Sequence, residues 1–493
     1  MKTIFILMDS LNRHYLSTYG GWIRTPNLDR LSKRGVVFDN HYAGSLPCMP
    51  ARREMMTGRL NFMEAPWGPI EPWDDCAPKL LQERGVYTHL ITDHYHYFHS
   101  GGEHYHTLFS SWEFLRGQEG DVWHPLVRKP KLPEKVRGKG VQRRAYWANR
   151  EFKDPERDED YPTPQCFMQA MEFLRNNGNE DNWHLHLEVF DPHEPFECPK
   201  KYRDMFNDTW DKYFYNWPAY GPLDPKEDDA SAVEHIRKCY AGALAMADVW
   251  LGRMLDVMDE MNLWENTTVI LTTDHGHMLG EHNYWAKNYM MDYQELVHIP
   301  MIVCSPEAVP GRRSALTATM DLMPTLMELH GAPLPPHVHG KSFRHLFTGD
   351  GDHHDAVLFG YFGKDIGMTD GKYSYCRQPL PESRLYHYTA APRNFADFMP
   401  RETLKAADFG VFLKTADGIP HYRIESKSSR HANAPDFNPV FDVTRDPGQE
   451  HPIHDAKLEE RLAAKMKELM VRYEAPECQF TRMGLDGERK GSV

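Results

Sequence analysis

Short unbroken apolar runs alternate along this chain with segments of helical periodicity. Residues 4–8 (Ile-Phe-Ile-Leu-Met) form one such run, the pattern of a strand covered on both faces. Residues 25–35 read as a short helix. Thr25 stands at the N-cap and Pro26 at the first helical position, basic residues fill the last turn, and Gly35 is the stop. Residues 36–38 continue as a strand, 78–84 as a helix closed by Gly85, and 86–92 as another strand. Further strands are expected over 185–190 and 269–273. Residues 230–262 are helical, with Ala243, Met246, Ala247, Trp250, Leu251, Met254 and Leu255 at helical spacing. This alternation predicts an α/β fold with a mostly parallel sheet and helices on both faces.

Gly and Asp cluster over 345–355 and suggest a boundary, with a catalytic α/β domain over 1–350 and a smaller C-terminal unit over 351–493. In that unit, 356–361 and 372–376 read as antiparallel strands and 457–473 as a terminal helix. Residues 385–398 are rich in aromatics. They read either as an arm to a neighbouring subunit in a homo-oligomer or as a loop packed on its own domain.

Composition narrows the picture. A chain of 493 residues has ample material for one large and one smaller core. Its formal net charge of −14 argues against a nucleic-acid partner. The basic stretch 128–144 is accordingly read as a solvated loop. No apolar run approaches the roughly 18 residues of a membrane helix, so no membrane association is expected. The N-terminal run stops at Asp9 with no small-residue cleavage site after it, and the chain is expected to be cytoplasmic. The eight cysteines are scattered with no CxxC pair, unlike a disulfide framework or a zinc site.

Three segments carry candidate chemistry. Asp9 directly follows the first strand, where an acidic side chain either faces a metal or caps a turn. Cys48-Met49-Pro50-Ala51-Arg52 places a cysteine at or just before a helix N-terminus, where backbone N–H groups favour an anion. With Arg52 one turn on, Cys48 is a candidate nucleophile or a small buried cysteine. Asp274-His275-Gly276 ends a β-rich run and offers an oxygen and an imidazole nitrogen at a sharp turn. Ligands of open α/β sheets bind at such strand ends.

In this order, with Thr25-Pro26-Asn27-Leu28-Asp29-Arg30-Leu31, Thr57-Gly58, Asp191-Pro192-His193-Glu194-Pro195-Phe196, Lys287 and Asp321-Leu322-Met323-Pro324-Thr325, the chain resembles the type I sulfatases of the alkaline phosphatase superfamily. Thr369-Asp370-Gly371-Lys372-Tyr373 and Phe441-Asp442-Val443-Thr444-Arg445-Asp446-Pro447 extend the resemblance to the tail. It implies an alkaline-phosphatase-like core with a smaller C-terminal antiparallel sheet and helix. It also implies that a maturation enzyme converts Cys48 to formylglycine. Asp9, Asp274, His275 and the modified Cys48 would ligate one divalent metal ion, Ca2+ or Mn2+. Arg52 would hold the modified side chain, His193 would protonate the leaving oxygen, and Lys287 would bind the transferring group. The substrate is then a small anionic ester.

Two departures matter. Ser10 and His275 stand where many arylsulfatases carry a second Asp and an Asn. Thr92-Asp93-His94-Tyr95-His96 replaces a Gly-Lys-Trp-His segment, so that either His94 or His96 contacts substrate or the segment forms a different pocket wall. Both departures resemble the arylsulfatase and phosphonate monoester hydrolase branch. Sulfate monoester hydrolysis is the leading expectation, phosphonate monoester or phosphodiester hydrolysis the alternative. A non-catalytic metal-binding protein is the minor one.

Overall fold

The computed structural model describes residues 1–486. Its main sheet has eight strands. From one edge they are Gly311–Ala318, Val36–Tyr42, His298–Cys304, Thr267–Thr272, Lys2–Met8, Trp183–Val189, Tyr87–Thr92 and Ser111–Phe114. His298–Cys304 runs antiparallel to both its neighbours, and the other pairings are parallel.

The central strand explains why its apolar run is unbroken. Side chains alternate between faces. Ile4, Ile6 and Met8 pack under the helices Pro162–Asn177 and Ala230–Glu260, against residues such as Phe167, Leu244 and Leu251. Phe5 and Leu7 face the other way, toward Met55, Leu326 and Phe347. Each such side chain contributes about 1.5–3 kcal/mol by leaving water.

The expected helix is Pro26–Arg34, but Thr25 does not cap it. The Thr25 hydroxyl lies 2.9 Å from Ser17 Oγ. Asp248, on the long helix, instead accepts from the backbone of Asn27 (3.1 Å) and Leu28 (2.8 Å). A tertiary carboxylate has replaced the local cap and ties the two helices together.

A second sheet has the order Val440–Asp442, Tyr373–Arg377, Ile366–Thr369, Val357–Tyr361 and Ser45–Leu46. The helix Ala456–Arg472 packs its buried Leu462, Met466, Leu469 and Met470 into the same core. The edge strand Ser45–Leu46 comes from the N-terminal part of the chain and pairs in parallel with Gly360 and Tyr361. It ends two residues before Cys48, so the smaller sheet anchors the start of the helix Cys48–Thr57.

The aromatic segment packs on its own chain. Leu385–Thr389 pairs with His421–Ser426, and Phe395 lies against Trp67 and His96 at ring distances of 4.9 and 5.2 Å. The basic stretch is largely exposed, although Lys139 turns toward Glu194. Among the described residues, no helix is long and apolar enough to cross a membrane.

Candidate active site

Asp9 follows the central strand at the carboxyl end of the sheet, and Asp274 follows its neighbour Thr267–Thr272 by two residues. The strands are adjacent and parallel, so both carboxylates emerge side by side. Cys48 opens the helix beneath them. One potential ligand atom from each of Asp9, Cys48, Asp274 and His275 lies within 4.8 Å of the others. All four residues are buried.

Arg52 sits one helical turn after Cys48 and fastens this group. Its Nη1 donates to Asp274 Oδ2 at 2.7 Å and to the Cys48 carbonyl at 3.1 Å. Its Nη2 donates to Asp9 Oδ2 at 2.9 Å. Its Nε lies 3.4 Å from Glu188 Oε1. A planar fork of donors suits one cation spanning several carboxylates.

Ser10 forms a further link. Its backbone N–H donates to Asp274 Oδ1 at 3.1 Å and its hydroxyl to Asp9 Oδ1 at 2.9 Å. Lys287 Nζ donates to that hydroxyl at 3.2 Å. The residue standing in place of a second Asp thus keeps Lys287 next to the acidic pair. Gly276 permits the turn by close approach, since a Cβ there would lie 1.8 Å from the Glu295 carbonyl oxygen.

The charges are strongly coupled. Burial and the neighbouring Asp274 push the Asp9 carboxyl up to about 6. Burial would raise Asp274 too, but His275, Arg52 and Lys287 outweigh it and hold Asp274 below the usual carboxylate range. Burial, with Asp9 adding, pushes the Cys48 thiol well above its ordinary value. A thiol held in its protonated form is a poor nucleophile and a poor metal ligand.

The donor set fits a divalent cation. His275 Nδ1 donates to the Gly276 carbonyl at 2.8 Å, which leaves Nε2 as the lone-pair nitrogen. That nitrogen lies 3.3 Å from Asp274 Oδ2 and 3.3 Å from Cys48 Sγ. Burial, with Lys287 adding, pushes His275 down to about 4, so it is neutral at pH 7. A neutral imidazole nitrogen turned toward a carboxylate oxygen is an arrangement a cation satisfies.

His193 enters from the loop after Trp183–Val189. Its Nδ1 donates to the Glu194 carbonyl at 2.6 Å. Burial pushes it down to about 4, with Glu194 opposing and Lys287 adding to the fall. His94 is fully buried and neither ring nitrogen has a hydrogen-bond partner. Burial, then the charges of Arg52, His96, His193 and Lys287, depress it. His96 lies a layer further out, its Nε2 3.3 Å from Glu119 Oε2.

The structure thus brings Asp9, Cys48, Arg52, Asp274, His275 and Lys287 into direct contact, with His193 and His94 within reach of their charges. Sequence reasoning gave Ser10 and Glu194 no role and passed over Glu119 and Glu188. Glu188 did leave a signal, a carboxylate near the end of a fully buried strand. It accepts from Tyr97 Oη at 2.6 Å and Thr92 Oγ1 at 3.0 Å.

Comparison with known proteins agrees with this geometry. The Sulfatase family model matches residues 2–332. The choline-sulfatase of Rhizobium meliloti is 23% identical over 457 residues, covering 83% of this chain and 85% of that protein. The N-acetylglucosamine-6-O-sulfatase of Bacteroides thetaiotaomicron is 23% identical over 455 residues, covering 79% and 81%. The crystal structure of the phosphonate monoester hydrolase of Agrobacterium radiobacter shares the fold, with a TM-score of 0.67 at 17% identity over 96% of each chain. The family match spans most of the chain, and this protein is a member of the sulfatase family of hydrolases.

Proposed function

We propose that this protein hydrolyses sulfate monoesters, aryl or alkyl, with a formylglycine made from Cys48 and one divalent metal ion. The observation that carries this reading is the convergence of Asp9, Cys48, Asp274 and His275 within 4.8 Å, clamped by Arg52.

The hydrate would supply one hydroxyl to displace the alcohol from sulfur and a second whose deprotonation would expel sulfate and restore the aldehyde, which water would hydrate again. Asp9, Asp274, His275 and the modified residue 48 would hold the metal, which would supply charge neutralisation and a more acidic nucleophile. Two carboxylates and one imidazole favour Mn2+ over Ca2+. Lys287 binds a sulfate oxygen, and His94, with no internal partner, contacts another. His96 supports His94 from behind. The Asp9–Asp274 pair takes up the proton of the attacking hydroxyl. His193, once it has taken up a proton at Nε2, would give that proton to the departing oxygen. A maturation enzyme that oxidises Cys48 is the required partner.

A second reading, hydrolysis of phosphonate monoesters or phosphodiesters, is favoured by Ser10 and His275 at positions where many sulfatases carry Asp and Asn. These esters, like sulfate monoesters, bear one negative charge at the transferring group. Side-by-side turnover of 4-nitrophenyl sulfate and 4-nitrophenyl phenylphosphonate by formylglycine-containing protein separates the two. Faster sulfate turnover supports the first reading, and a large phosphonate preference replaces it with the second.

A further inference from the structure

A second group of ligand-type side chains lies at the edge of the main sheet, apart from the catalytic centre. Asp321 follows the edge strand Gly311–Ala318, three strands over from the strand that leads to Asp274. His353 and His354 come from the connection that leads to Val357–Tyr361 in the smaller sheet. The backbone N–H of His354 donates to the Leu316 carbonyl at 3.2 Å, which lays this connection against the edge strand. Both imidazoles converge on one carboxylate. His353 Nε2 lies 3.1 Å from Asp321 Oδ2, and His354 Nε2 lies 2.8 Å from Asp321 Oδ1. One potential ligand atom from each of the three residues lies within 4.8 Å of the others. Their side chains are at most 1% exposed.

The surroundings suit a metal ligand set. The backbone N–H of Ala318 donates to Asp321 Oδ2 and that of Lys341 to Oδ1, each at 2.8 Å. Hydrogen bonds of this kind orient metal-binding carboxylates. His41 gives an independent sign. The Thr317 hydroxyl donates to the Asn40 carbonyl, so its oxygen accepts from His41 Nδ1 at 3.0 Å. That leaves His41 Nε2 as a bare lone pair, buried with no hydrogen-bond partner and in the field of Asp321 and His353. A lone pair and a carboxylate buried together lack a positive partner. A cavity of about 430 Å³ reaches His353 and His354 among the charged side chains of Lys341, Asp352, Asp355 and Arg472, and gives an ion its way in.

We propose that Asp321, His353 and His354 bind a second metal ion, Zn2+, which pins the connection between the two sheets to the edge of the main sheet. Two imidazoles and one carboxylate are a zinc donor set, with the fourth position left to a water from the cavity. Ca2+ and Mg2+, which take oxygen ligands, do not suit it. On binding, the ion replaces the two N–H···O bonds to Asp321. Each neutral imidazole then carries its proton on Nδ1 and gives its Nε2 lone pair to the ion, with no net proton released. The role is structural, and it is independent of the reaction proposed above.

The test counts zinc. Chelator-stripped protein is loaded with ZnCl2, freed of unbound ion by gel filtration, and its zinc per chain is measured by elemental mass spectrometry. Every sample carries His275→Ala, which weakens the catalytic group, and any zinc remaining there is common to all. Adding His353→Gln and His354→Gln together should remove about one zinc per chain. Co2+ in place of zinc should give visible absorption bands that the same variant lacks. Equal zinc counts with and without the two substitutions overturn the proposal and leave both imidazoles as hydrogen-bond donors to Asp321. If the double substitution does not fold, His354→Gln alone decides the question by calorimetric titration with ZnCl2. Its zinc affinity should fall by at least about 10-fold, the lower end of the loss seen for groups that only support a ligand; an unchanged affinity overturns the site.

Discussion

Arg52 and Asp274 meet at 2.7 Å inside a site almost closed to water, with Asp9 at 2.9 Å on the other arm of the same guanidinium. One cation thus holds together two strands and the helix that begins at Cys48. Removing it leaves two buried carboxylates facing each other. Arg52→Met should destabilise the protein by about 3–5 kcal/mol, the scale of breaking a buried ion pair. Arg52→Lys should fold better but lose the bidentate geometry and most of the turnover. Denaturant unfolding with parallel assays checks this; a loss under about 1 kcal/mol for Arg52→Met contradicts the clamp.

His275 offers its free Nε2 because Nδ1 is committed to the Gly276 carbonyl. His275→Ala should weaken metal affinity by at least about 10–100-fold, judged by the losses seen for groups that only support a ligand. Metal titration of the protein stripped by chelator reads this directly. Unchanged affinity would remove His275 from the ligand set.

Asp248 caps a helix far from it in sequence. Asp248→Ala strands the backbone N–H groups of Asn27 and Leu28. The expected cost is about 1–3 kcal/mol in denaturant unfolding, with the metal site intact. A change below about 0.5 kcal/mol would show that the cap is dispensable.

Burial pushes His41, His387 and His431 each down to about 3. Their unfolded value is near about 6.5, so the unfolded state binds more protons below that pH. Each contribution to stability is present above 6.5 and is lost as pH falls toward 3. Glu54 and Glu295 run the other way. Burial pushes them up to about 7 and about 8, so their contributions decline as pH rises from about 4.5 through those values. His387→Leu isolates one such group. Its melting temperature relative to the parent should rise as pH falls from 7.5 to 4.5; a pH-independent difference would mean that His387 titrates alike in the folded and unfolded states.

Much of this was legible in the chain. Ile4, Ile6 and Met8 alternating with Phe5 and Leu7 reveal a doubly covered strand, because helices on both faces leave no polar side. The order of Asp9, Cys48, Arg52, Asp274 and His275 announced the metal-binding chemistry. What stayed hidden depends on distance along the chain. The Asp248 cap is more than two hundred residues from the helix it closes, and no local pattern reports it. Ser45–Leu46 is too short to read as a strand until Val357–Tyr361 supplies its partner. Glu119 and Glu194 lie in loops, where periodicity is silent and only the folded chain shows which carboxylates turn inward.

The central claim is that residue 48 works as formylglycine, not as cysteine. The most direct measurement is peptide mass spectrometry across residue 48 on protein produced with and without a formylglycine-generating enzyme, paired with turnover of the favoured sulfate ester. The predicted result is loss of sulfur and gain of oxygen at residue 48 in the matured sample, with activity proportional to the converted fraction. An intact thiol in fully active protein would contradict it.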